Sequence, residues 1–168
     1  MERLKLSGIG EGLKVIVSSD LVGADIPEKV LESLQNIFPD FNCGLPEPPS
    51  FPSELNDSLA DENISLENFI TLLHKQAILD TALDYMSSNL NENGTNFTIS
   101  RQAALSGKVS FPLPNEIPLG GVILIEILGA GVKDWLEAAT WHEGRDNIPR
   151  RIGDDLSMNP DADAVTWH

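Results

Sequence analysis

From Phe69 to Leu90 apolar side chains return at alternating intervals of three and four: Phe69, Leu72, Leu79, Leu83, Met86 and Leu90, with Gln76 standing where one more is due. That interval is the helical repeat, and a stripe of this length has to face a core. Ser65 offers a start and Asn93-Gly94 a stop, so the spacing predicts one long helix between them. Such a helix needs an apolar layer to lie on, which the flanking sequence must supply.

Strand-like runs supply it. Leu13 to Ser18, Phe97-Thr98-Ile99 and Val109-Ser110-Phe111 are short, and Gly121 to Leu128 is longer and apolar on both faces in part. A first helix is predicted after Asp25, which stands as its N-cap with Pro27 in the first turn; Val30, Leu31, Leu34, Ile37 and Phe38 form its apolar face, and Pro39 ends it. Residues 42–62 hold Pro46, Pro48, Pro49 and Pro52 and read as a long loop or insertion. Val132 to Ala139, with Trp135 and Leu136, reads as a short amphipathic helix. The order of elements implies an α+β fold, a mostly antiparallel sheet with helices on one face. The expected division is a flexible N-terminus over 1–11, a single domain over 12–140 and a C-terminal extension over 141–168.

The chain has 168 residues, enough for one core, and its single cysteine, Cys43, has no internal disulfide partner. A reducing compartment, the cytoplasm, is therefore expected, and no apolar run approaches a membrane span. The charge is extreme: 26 acidic against 11 basic residues give a net −15. Taken alone, this opposes binding to a polyanion. Adaptation to high internal salt gives the same acidity, and at about 1 M salt the Debye length is only about 3 Å, so net charge then says little about partners. More informative is where acid is missing. Asn93 to Asn115 contains no Asp or Glu yet carries Arg101 and Lys108, where the average density would place about three or four acids.

Catalytic patterns are absent. The glycines of Gly8-Ile9-Gly10-Glu11-Gly12 precede a strand, whereas a phosphate-binding loop follows one. His74, His142 and His168 share no metal-ligand spacing, Asp80 and Asp84 read as a solvated helix face, and no nucleophile elbow surrounds any serine. No enzyme, metal or cofactor is expected. The remaining constellation is Arg101-Gln102 with Lys108: a planar cation, an amide and an ammonium suited to phosphate and 2′-hydroxyl oxygens. On spacing alone, an Arg101 paired with an acid and a Gln102 satisfying a turn fit equally well.

Two stretches are familiar. One is Gln76-Ala77-Ile78-Leu79-Asp80-Thr81-Ala82; the other runs Phe97-Thr98-Ile99-Ser100-Arg101-Gln102-Ala103-Ala104, then Gly107-Lys108-Val109-Ser110-Phe111, to Pro118-Leu119-Gly120. Together with Leu34-Gln35-Asn36-Ile37-Phe38-Pro39-Asp40 they closely resemble archaeal uncharacterised protein family 201, a family described as RNA-binding. Its members read QRILD, F-x-L-N-K-Q-A-A, GKVxF and PLG in the same order, and the resemblance spans Val15 to Ala139. It implies a fold like the ribosomal protein that grips 5S rRNA, RNA as partner, and an accessory role in RNA processing; some relatives look fused to a nucleotide-kinase-like domain. Two departures stand out. The family's Asn-Lys is Ser100-Arg101 here, which keeps the charge, and an Arg common after the ILDTA run is Leu83.

The expectation is thus a noncatalytic RNA binder using Arg101, Gln102 and Lys108, with Lys14, Arg145, Arg150 and Arg151 adding contacts. The rival is a protein-interaction or structural subunit, with or without a nucleotide-kinase-like partner, in which Gln102-Ala103-Ala104 is a tight helix–sheet junction and the motif a folding signature. A homodimer is compatible with either.

Overall fold

The computed structural model describes residues 12–23, 25–45, 56–113, 116 and 118–147. The expected flexible N-terminus and the end of the tail, with Arg150 and Arg151, lie outside these residues. The chain runs β1 (Lys14–Val22), α1 (Pro27–Ile37), β2 (Asn56–Glu62), α2 (Glu67–Lys75), α3 (Leu79–Ser87), β3 (Gly94–Ser100), α4 (Arg101–Leu105), β4 (Val122–Leu128), α5 (Val132–Ala139) and α6 (Gly144–Asn147). The four strands make one sheet in the order β2-β1-β4-β3, every neighbour antiparallel. This is the α+β class the sequence implies.

Period-two alternation decides what the sheet buries. Val15, Val17 and Leu21 of β1, Ile123, Ile125 and Ile127 of β4, Phe97 and Ile99 of β3, and Leu59 of β2 point into the core. The helices cover that face with Leu34, Phe69, Leu73, Leu83, Met86 and Leu136. Stacked rings cross the core from Phe38 through Phe69 to Phe97, with centroids 5.9 Å apart at each step. On the opposite face Ile16, Ser18, Thr98 and Leu124 are only half-buried. Gly94 opens β3 with φ 147°, and a Cβ there would stand 2.1 Å from the carbonyl oxygen of Ile127, so only glycine lets β3 lie against β4 at that point.

Four expectations are corrected. The long helix is two helices, because the backbone reverses at Ala77, where φ is 56°. Ile78 N–H bonds back to Leu73 O and Ala77 N–H to His74 O, both 3.1 Å, which is the Schellman closure of a helix end with alanine in the place glycine usually takes. Within the expected proline-rich loop, Asn56–Glu62 is an edge strand paired along β1 from Ile16 to Val22. Val109-Ser110-Phe111 is not a strand; its backbone is held by Ser100 N–H donating to Ser110 O at 2.8 Å and by the side chain of Gln76. Asp25 does not cap α1, whose N-cap is Ile26 without a side-chain bond, because the Asp25 carboxylate is engaged elsewhere.

Candidate nucleic-acid interface

Strand β3 passes into α4 without an intervening loop. Ser100 keeps an extended backbone and its Oγ accepts the Ala103 N–H at 3.3 Å, so the strand's last residue caps the helix. This turn throws Arg101 inward and Gln102 outward. Arg101 is 7% exposed. Its Nη1 donates to Ser19 Oγ at 2.9 Å and to Asp20 O at 2.6 Å, and Nη2 lies 2.9 Å from Asp25 Oδ2. The guanidinium therefore ties α4 to the end of β1 and to the entrance of α1. Gly121 makes room for it: φ is +84°, and a Cβ there would lie 3.0 Å from Arg101 Nη2.

Gln102 and Lys108 are exposed, and among the described residues neither side chain has a hydrogen-bond or ion-pair partner. The Lys108 N–H reaches Ala103 O at 3.0 Å, which folds the segment after α4 back onto it and puts both side chains on one short turn. Beside Gln102 lies a groove of about 260 Å³ lined by Ile26, Lys29, Val30, Arg101 and Gly120. A second of about 260 Å³, lined by Ser18, Asp20, Val22 and Leu124, lies on the other side, and the Arg101–Asp25 pair borders both.

The other expected cations are not on this surface. Lys14 starts β1, about 20 Å along the strand from Asp20, and its ammonium lies 3.5 Å from Glu62. Arg145 is 8% exposed on α6, where Nη2 meets Asp80 Oδ1 at 2.7 Å and Nη1 donates to Thr140 Oγ1 and Glu137 O. His142 Nε2 shares the same Asp80 oxygen at 3.1 Å. Burial opposes ionisation of Asp80, but the bonds and charges of Arg145 and His142 together outweigh it and hold its pKa below the usual carboxylate value. Asp80 is thus the fastener of the C-terminal stretch, where the sequence suggested a solvated face. Among the described residues no group of three or more His, Cys, Asp or Glu is placed to hold a metal ion.

The familiar motifs meet one another in space. Gln76 Nε2 donates to Val109 O and its Oε1 accepts from Val109 N–H, both at 2.8 Å, joining the α2 end to the Lys108 segment. Asn36 Nδ2 donates to Ala104 O and Leu105 O at 3.1 Å, joining α1 to α4. Both were missed as contacts in the sequence, although a glutamine in an apolar stripe is itself a signal that a buried partner exists.

No protein-family model matches the chain. A UPF0201 protein of Sulfurisphaera tokodaii is 32% identical over 130 residues, covering 76% of this chain and 88% of that one. The chain belongs to the UPF0201 family. A second UPF0201 protein, from Methanothermobacter thermautotrophicus, is 33% identical over 129 residues, 73% of this chain and 89% of its own. The crystal structure of the UPF0201 protein from Methanococcus jannaschii matches with a TM-score of 0.65 at 25% identity, over 76% of this chain and 99% of that one. A DUF54 protein from Methanothermobacter thermautotrophicus shares the fold at 18% identity, with a TM-score of 0.52 over 80% of this chain and 93% of its own.

Proposed function

We propose that this UPF0201 protein is a noncatalytic RNA-binding protein, an accessory in RNA processing, and that it meets RNA on the surface of α4 and the turn that follows. One observation carries the reading. In a chain of net charge −15, the longest acid-free stretch is Asn93 to Asn115, and its described residues make β3, α4 and the turn after it, where Gln102 and Lys108 are exposed without partners among the described residues. An amide that both donates and accepts, beside an ammonium, suits phosphate and 2′-hydroxyl oxygens. Phe97 of β3 faces the core, so binding would rest on backbone and shape more than on base stacking. The fold that the family resemblance implies, like that of the ribosomal protein that grips 5S rRNA, points to the same class of partner.

The test is a titration of structured RNA at several salt concentrations. Removing a lysine that contacts a phosphate should lower the slope of log K against log salt by about one. Lys108→Ala is expected to do so, and an unchanged slope and affinity would remove this surface from the proposal.

A protein-interaction subunit, with or without a nucleotide-kinase-like partner, is the second reading. It is favoured by the motif residues Asn36, Gln76 and Arg101 acting as internal fasteners, and by Ile26 at 58% and Leu119 at 84% exposure near the same turn. Stoichiometric recovery of one protein partner without RNA would support it.

A further inference from the structure

Resting on the RNA reading, we propose that the Arg101 guanidinium is a latent phosphate site, and that the Asp25 carboxylate fills it in the free protein and is exchanged for an RNA phosphate on binding. Arg101 is held from behind through Nη1, by Ser19 Oγ at 2.9 Å and Asp20 O at 2.6 Å, so its orientation does not depend on Asp25. Nη2 is the end that faces Asp25, at 2.9 Å. The pair is not sealed in the core: it borders two grooves that open at the surface, and the Asp25 side chain is 22% exposed.

The two grooves differ in charge. One is lined in part by Asp20. The other is lined by Lys29, whose ammonium also lies 3.2 Å from Glu32 Oε2, and by the exposed Gln102, and it lies at the start of α1, which has no side-chain cap. An anion entering beside Gln102 thus meets the Arg101 guanidinium, an amide, a lysine shared with Glu32 and a helix start whose dipole favours negative charge. Among the described residues the Asp25 carboxylate has one other hydrogen bond, from the Val22 N–H at 3.0 Å, and this is local to the turn between β1 and α1. Rotation of one side chain would release the guanidinium without moving the sheet. A phosphodiester brings the same single charge that the carboxylate takes away, so Arg101 stays paired throughout, as a buried arginine must.

The full chain and its Asp25→Asn variant are titrated with inorganic phosphate and, separately, with a structured RNA. The variant keeps the side-chain shape and removes the competing charge, so it should bind phosphate at least about tenfold more tightly, and its RNA salt slope should steepen by about one. In the wild-type protein the guanidinium nitrogen signals of Arg101 should shift when RNA is added, a readout that needs no variant to fold. Equal phosphate affinity in the two proteins, or Arg101 signals unmoved by bound RNA, overturns the exchange and leaves the RNA reading standing. Tighter phosphate binding by the variant, with no RNA bound by either protein, upholds the anion site and overturns the RNA reading.

Discussion

At the scale of single residues, Ala77 has a backbone that alanine adopts at a cost. Its φ of 56° closes α2, and the left-handed region is disfavoured for any residue with a Cβ by about 1–2 kcal/mol. Part of that cost is offset by the greater freedom glycine has in the unfolded chain. Ala77→Gly should therefore raise the unfolding free energy by about 0.5–1 kcal/mol, measured by urea denaturation; a loss of stability would mean that the turn is not built as described. Asp80 makes a prediction in pH. Its folded pKa is lowered, so its contribution is complete above the unfolded value of 3.8 and is lost as pH falls through the lower folded value. Acid unfolding of the wild type should show this loss below about pH 3.8. Asp80→Asn should be less stable near neutrality, and the difference between the two proteins should shrink in that acid window.

At the scale of elements, Gln76 joins two parts of the family motif that are far apart in sequence. Gln76→Ala removes both bonds to Val109 and strands a buried donor and acceptor, which should cost about 2–3 kcal/mol in equilibrium unfolding. A change under about 0.5 kcal/mol would mean that the clamp contributes little.

The same elements show what could be read from the sequence. Strands β1, β3 and β4 and helices α1 and α5 were legible because branched and aromatic residues recur at the right period. The break between α2 and α3 was hidden because the apolar stripe keeps its phase across it and no glycine marks the turn. Strand β2 was hidden because Leu59 is its one fully buried apolar residue and three of its seven residues are acidic; an edge strand needs little more. At the candidate site, the sequence identified the turn that holds Arg101, Gln102 and Lys108. It could not show which side chains face outward, since a strand that enters a helix directly fixes that only in three dimensions. Arg145 was read as an RNA contact, and Arg101 as either an RNA contact or the partner of an acid; both are paired internally, as the abundance of carboxylates allowed.

At the scale of the whole molecule, the charge of −15 and the proposed partner conflict at low salt and are reconciled at high salt. Screening within about 3 Å at 1 M removes the long-range repulsion and leaves contacts made at hydrogen-bond distance. Gln102 and Lys108 can make such contacts; a diffuse basic patch, which the described surface does not show, is not required. Among the described residues no helix is long and apolar enough to cross a membrane. RNA recovered by crosslinking and pull-down from cells at native salt, compared between the wild type and the Gln102→Ala/Lys108→Ala variant, decides whether α4 and the turn after it hold RNA. The result expected is a defined RNA enriched with the wild type and lost with the variant while the fold is kept. Equal enrichment with both proteins would contradict the proposed surface, and no RNA with either, alongside a stoichiometric protein partner, would contradict the function.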